Sequence, residues 1–195
     1  MAVSLPIPEW QDPQADQPAR VVLAGGCFWC VEGVFRQVAG ILSTVSGYCG
    51  GRAEDANYPR VCSGTTEHAE AVEILYDPSQ IHFGQILQVF FGVAHDPTQK
   101  DRQGNDRGRQ YRSAIFFAND AQADMIRAYI AQLERASCFA SPIVTEIEPL
   151  LAFYPAEDYH QDYARRNPDQ PYVCAVAKPK IQALAAIFPQ YEKKL

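Results

Sequence analysis

The chain has 195 residues, a formal net charge of −6, 47% hydrophobic and 21% charged residues. That length suits one domain able to bury its own core. The acidic balance, with no basic face to offset it, excludes nucleic acid as the main partner. Six cysteines without a secretory leader, and no apolar run of membrane-spanning length, point to a reducing, cytoplasmic setting.

Residues 1–19 carry Pro6, Pro8, Pro13 and Pro18, with Trp10 the one large anchor, and predict an extended arm, either loose or laid over a single domain of residues 20–195. Val21-Val22-Leu23-Ala24 reads as a buried strand. Gly25-Gly26 then permits a tight turn, and Val31, Val34, Phe35 and Val38 form the stripe of a helix ending near Gly40. Cys27 falls at the start of that helix, where free N–H groups and the dipole favour a thiolate and lower its pKa. Phe28 and Trp29 come too early for both to face the core and would wall an apolar pocket beside the sulfur. The stretch reads as a nucleophile site.

A short β-like piece at Thr44–Gly47 leads into Tyr48-Cys49-Gly50-Gly51 and a polar loop through Asn57, Tyr58 and Pro59. Ala69–Tyr76 alternates as a strand, with Glu70, Val72, Ile74 and Tyr76 on one face. A helix follows with Ile86, Val89, Phe90 and Val93 inward. His95-Asp96-Pro97 closes it and opens a charged loop to Gln110. Tyr111–Phe117 is expected to be a strand. A helix capped by Asn119 or Asp120 buries Ile126, Tyr129, Ile130 and Leu133. Ile143–Ile147 reads as a strand, Ala156–Arg166 as a short helix, Tyr172–Ala177 as a final strand and the tail from Pro179 as a helix. Strands and helices alternating loosely around one sheet give a two-layered α+β or α/β class.

An activated cysteine calls for an acid. Glu70 begins an apolar strand face, and a buried carboxyl without a cation stays protonated and can donate a proton. The alternative is a strand-edge Glu that reaches water. Tyr58 and Tyr111 are polar handles for Glu70 or a substrate oxygen, or else ordinary core. Cys30 stands three residues after Cys27, the Cys-x-x-Cys spacing in which a second thiol resolves an intermediate on the first. Zinc on these two with Cys49 and Cys62 is the competing arrangement, and those two do not form a tight pair. Of the histidines, His68 is the best placed for a Cys–His pair.

Gly-Cys-Phe-Trp at 26–29, Gly47-Tyr48 with Gly50-Gly51, Tyr58 with Val61-Cys62-Ser63-Gly64, and His68-Ala69-Glu70-Ala71-Val72 resemble motifs of the peptide methionine sulfoxide reductase A family. So do His95–Gln99, Arg102–Asp106, Gln110–Ser113 and Tyr154–Gln161, in order over about residues 20–178. The resemblance implies a two-layer α/β sandwich with a mixed sheet and a ferredoxin-like core. It implies reduction of methionine S-sulfoxide, free or in peptides and oxidised proteins, as a repair reaction under oxidative stress. Cys27 is then the nucleophile and Glu70 the proton donor. Tyr58, Tyr111 and Asp106 hold the substrate oxygen and backbone, and Phe28 and Trp29 hold the methyl group. Cys27 becomes a sulfenic acid, and the disulfide formed from it is reduced by thioredoxin. No metal or organic cofactor is implied, and a monomer without membrane attachment is expected.

Two departures stand out. Cys30 occupies a position where glycine is common, and the tail lacks the family's glycine-rich cysteine loop. Cys30 is therefore the expected resolving thiol, with Cys174, Cys49 or a one-cysteine cycle as alternatives. Arg109 replaces a small Thr at the pocket rim. A thioredoxin-like disulfide exchanger using Cys27 and Cys30 is the rival function, and it would need neither Glu70 nor the aromatic pair.

Overall fold

Alternation along one strand organises the molecule. In the computed structural model, which describes residues 3–9 and 17–194, strand β3 (Ala69–Tyr76) sits inside a six-stranded sheet. It sends Val72, Ile74 and Tyr76 to one face and Ala69 and Ala71 to the other. Its neighbours are β1 (Ala19–Gly25) and β2 (Ile41–Cys49), both antiparallel to it. β6 (Ser113–Phe117) pairs antiparallel with β1, β7 (Glu146–Pro149) runs parallel to β6, and β8 (Phe153–Pro155) closes the far edge against β2. The order is β7-β6-β1-β3-β2-β8, a mixed sheet in a mixed α/β chain.

Helix α1 (Phe28–Phe35) connects β1 to β2, and α3 (Phe83–Val89) with a wide turn at Phe90–Ala94 follows β3. α4 (Asp120–Arg135) follows β6, capped by the Asn119 side chain accepting from the Gln122 N–H, with Ile126 and Leu133 buried. α6 (Lys178–Ile187) packs across α1. The apolar stripes of these helices and the Val21, Leu23, Val72, Ile74 and Ile115 face of the sheet form one continuous core. Each such side chain removed from water contributes about 1.5–3 kcal/mol. The opposite face carries a smaller cluster of Val22, Ala24, Cys49, Ala71 and Phe116 under Phe153.

The remaining elements are short: α2 (Tyr58–Cys62), the β4–β5 ribbon (Arg102–Gln103 with Asp106–Arg107) and α5 (Tyr163–Arg166). Of the arm, residues 3–9 lie extended over α3 and α4. Leu5 is buried, Gln88 donates to its carbonyl, and Tyr129 donates to that of Pro6. Trp10 lies outside the described residues.

Several expectations need correction. The piece at Thr44–Gly47 is the middle of a nine-residue strand, because β3 supplies a partner along its whole length. Tyr111 closes a 3₁₀ turn (Arg109–Tyr111), and the ladder begins at Ser113 opposite Gly25. The strand near residue 145 runs Glu146–Pro149, and Ala156–Arg166 breaks into a 3₁₀ turn at Asp158–His160 and α5, with Asp162 left-handed between them. Tyr172–Ala177 is not a strand. Val173–Ala177 is a wide helical turn running into α6, and packing on α1 overrides its β-rich composition.

Candidate active site

Every side chain of the site depends on how β1 turns into α1. Gly26 has φ +87°, and a Cβ there would lie 2.5 Å from Gln103 Cγ; a Cβ on Gly25 would press on the His95 ring. The turn therefore needs glycine at 26 and puts Cys27 at the N-cap of α1, buried. The Phe28 N–H, one of the free donors of the helix start, donates to Glu70 Oε2 at 3.1 Å. Glu70 is 2% exposed on the helix-covered face of β3. Glu70 is thus held by the N–H of the residue that follows Cys27.

Burial pushes the Glu70 carboxyl up to about 8, with Asp106 and Cys30 adding to the rise and the Phe28 N–H opposing it. The acid is protonated at neutral pH. The Cys27 thiol departs from expectation. Burial raises it well above the ordinary thiol range, helped by its hydrogen bond to Cys30 and by the Glu70 charge, while a backbone N–H at Trp29 pulls the other way and loses. The helix start does not hold a resting thiolate. Cys30 moves down instead, chiefly through the bond from Cys27, with the Lys180 charge and Tyr172 assisting against burial.

The aromatic pair divides. Phe28 is in the core, 1% exposed. Trp29 is half-buried, stacked on Tyr163 with centroids 3.8 Å apart, and its Nε1–H donates to His160 Nδ1 at 3.2 Å. His160 is buried against Phe28, Trp29 and Tyr58. Sequence reasoning gave it no role, although it stands inside the quoted Tyr154–Gln161 motif. Glu157 from the same motif accepts from Tyr48 Oη at 2.8 Å and from the Tyr58 N–H at 2.9 Å, which fixes the start of α2.

Burial raises the phenols of the half-buried Tyr58 and Tyr111, and the nearby charges of Cys62 and Glu70 add to the rise. Asp106, on β5, accepts from Tyr172 Oη in a short hydrogen bond. A cleft of about 530 Å³ opens on Cys27, walled by Gln103, Asp106, Tyr172 and Lys180 among others. Arg109, expected at the pocket rim, pairs with Glu146 and Glu67 and does not line this cleft.

Other candidates go elsewhere. His68 bonds Arg52 O through Nε2, and His95 bonds Phe90 O and Ser113 Oγ, its pKa pushed down to about 3 by burial. Cys49 belongs to the opposite face of the sheet, where its thiol donates to Ala152 O, so the four thiols considered for zinc do not converge. Cys174, expected in a strand, is an exposed helical residue donating to Pro168 O.

Comparison with known proteins gives the lineage. Residues 19–192 match the family model described as peptide methionine sulfoxide reductase. The chain belongs to the peptide methionine sulfoxide reductase family. It is 50% identical over 176 residues to peptide methionine sulfoxide reductase MsrA 2 of Synechocystis sp., covering 90% of this chain and 81% of that protein. Among solved structures it resembles reduced Mxr1 from Saccharomyces cerevisiae, with a TM-score of 0.71 and 31% identity, over 83% of this chain and 92% of that one. Mxr1 in complex with Trx2 also matches, with a TM-score of 0.50 and 25% identity, over 79% and 88% of the two chains.

Proposed function

We propose that this chain reduces methionine S-sulfoxide, free or in oxidised proteins, through a Cys27 sulfenic acid and a Cys27–Cys30 disulfide that thioredoxin reduces. The observation that carries this reading is the buried Glu70 carboxyl, pushed up to about 8 by burial and held by the N–H of the residue after Cys27. A sulfoxide oxygen leaves poorly until it is protonated, and a disulfide exchanger has no use for such an acid.

The resting pair is a thiol beside a carboxylic acid. Glu70 gives its proton to the sulfoxide oxygen, which makes the sulfur electrophilic, and the resulting carboxylate takes the thiol proton as Cys27 attacks. The net change is thiol plus sulfoxide to sulfenic acid plus methionine, with two electrons passing to the substrate sulfur. Tyr58 and Tyr111 give their hydroxyls to the substrate oxygen, Asp106 holds the substrate backbone, and Phe28 and Trp29 hold the methyl group. Cys30, one helical turn from Cys27 and lowered in pKa, then closes the disulfide. Electrons come from thioredoxin or another dithiol, without metal or organic cofactor; Trx2 on the related Mxr1 supports that partner.

Residues 20–195 act as one catalytic domain, with residues 1–19 as an arm, and the protein works as a cytoplasmic monomer. No helix among the described residues is long and apolar enough to cross a membrane. The strand order β6-β1-β3-β2 with α1 and α3 as connections supports a ferredoxin-like core.

One equivalent of methionine S-sulfoxide added to reduced protein tests the reading. One methionine should be released, and mass spectrometry should find Cys27 joined to Cys30. Release without modification of Cys27 overturns the mechanism, and a Cys27–Cys174 bridge overturns the second thiol.

A further inference from the structure

The wide helical turn after residue 172 carries an aromatic side chain into the site from the C-terminal end of the chain. Tyr172 Oη lies 4.0 Å from Cys30 Sγ, which donates to it, and Tyr172 donates in turn to Asp106 Oδ2. The Tyr172 ring is held edge-on by Trp29, with centroids 5.9 Å apart. Eight residues on, Lys180 of α6 faces the cleft that also opens on Cys27 and Tyr172. Two polar groups from the C-terminal segment therefore converge on the thiol pair of α1.

We propose that Tyr172 and Lys180 ready Cys30 for closing the disulfide, Tyr172 by passing its proton toward Asp106 and Lys180 by stabilising the thiolate that results. This rests on Cys30 being the second thiol. The Cys30 proton moves to Tyr172 Oη as the hydroxyl proton of Tyr172 moves to the Asp106 carboxylate. Cys30 sulfur then bonds Cys27 sulfur, the S–O bond of the sulfenic acid breaks, and the oxygen leaves as water with the proton held by Asp106. Thiol plus sulfenic acid gives disulfide plus water, and no outside oxidant or reductant enters.

The electrostatics of the resting state agree. The Lys180 charge and the Tyr172 hydroxyl both pull the Cys30 thiol down, and burial beside Cys27, Cys30 and Asp106 raises the Tyr172 phenol far enough that it remains a hydroxyl. Both groups lie on the C-terminal segment that runs into α6. That segment supplies the groups that activate a thiol on α1.

The test is a single turnover with methionine S-sulfoxide, quenched over time at several pH values and read by mass spectrometry with dimedone as the trap for sulfenic acid. In Tyr172→Phe and Lys180→Met the Cys27 sulfenic acid should accumulate, with disulfide formation slowed roughly tenfold, the size expected from losing a hydrogen bond or charge at an ionised group. The pH at which the step reaches half its maximum should rise by about one unit, and Lys180→Arg should restore it. A native chain that forms Cys27–Cys30 while both variants close it at the native rate and pH overturns this inference and leaves the second thiol standing. A native chain that joins Cys27 to another cysteine, or to none, removes the second thiol itself.

Discussion

Replacing Glu70 by Gln separates the cost of the site from its use. Gln keeps the shape of the side chain and an oxygen to accept from the Phe28 N–H, and removes the ionisation. In the unfolded chain this carboxyl titrates near 4.5, and in the folded protein near 8. Between those values the unfolded chain has released a proton that the folded protein retains, so the native state loses stability as pH rises through that window. The gap, at about 1.4 kcal/mol per pH unit, is on the order of 5 kcal/mol. Any cost of burying the amide is the same at every pH, so the comparison is between conditions. Urea unfolding should show Glu70→Gln gaining several kcal/mol relative to the native chain between pH 4.5 and pH 8.5. Single-turnover methionine release should fall about 10²–10⁴-fold near neutral pH, the usual worth of a general acid. The native rate should decline above pH 8 as the acid loses its proton, and the variant should lack that decline. A variant whose stability follows the native pH dependence, or whose turnover stays within tenfold, would refute the neutral-acid argument.

Cys30→Ser should release one methionine and then stop in a thioredoxin-coupled NADPH assay; continued cycling would show that another thiol, or none, completes the reaction. Gly26→Ala forces a side chain onto φ +87° against Gln103 and should cost about 1–3 kcal/mol in urea unfolding while slowing the first turnover; unchanged stability would mean that the turn relaxes freely. Trp29→Leu removes the stack on Tyr163 and the bond to His160 and should raise KM for sulfoxide roughly 3–10-fold; an unchanged KM would place the methyl group elsewhere. Arg112→Met strips a buried guanidinium from Glu146 and Glu148, which are about a third exposed, and should cost about 2–3 kcal/mol; a neutral result would mean that water satisfies both acids.

What was legible in the sequence followed from local periodicity. The period of two along Ala69–Tyr76 put Glu70 on the buried face, and the strand–Gly-Gly–helix pattern put Cys27 at a helix start. The ionisation of Cys27 was not legible, because it depends on what closes over the sulfur. Gln103 and Asp106 of the cleft wall arrive from more than 70 residues along the chain and Tyr172 from 145, and the burial they bring outweighs the local dipole. Val173–Ala177 misled for a related reason: β-favouring residues become helical when the surface that they meet is a helix. His160 had no signal beyond its motif, since its bond to Trp29 spans 131 residues. Phe28 was placed by the helix phase, which its position at the first turn left open.

The protonation of Glu70 is the claim on which the mechanism stands, and it can be measured without turnover. The side-chain carboxyl carbon of Glu70, followed by nuclear magnetic resonance in reduced, carbon-13-labelled protein and assigned by its loss in Glu70→Gln, should titrate with a midpoint near pH 8. A midpoint near the ordinary 4.5 would leave a carboxylate beside Cys27 at neutral pH and contradict the account.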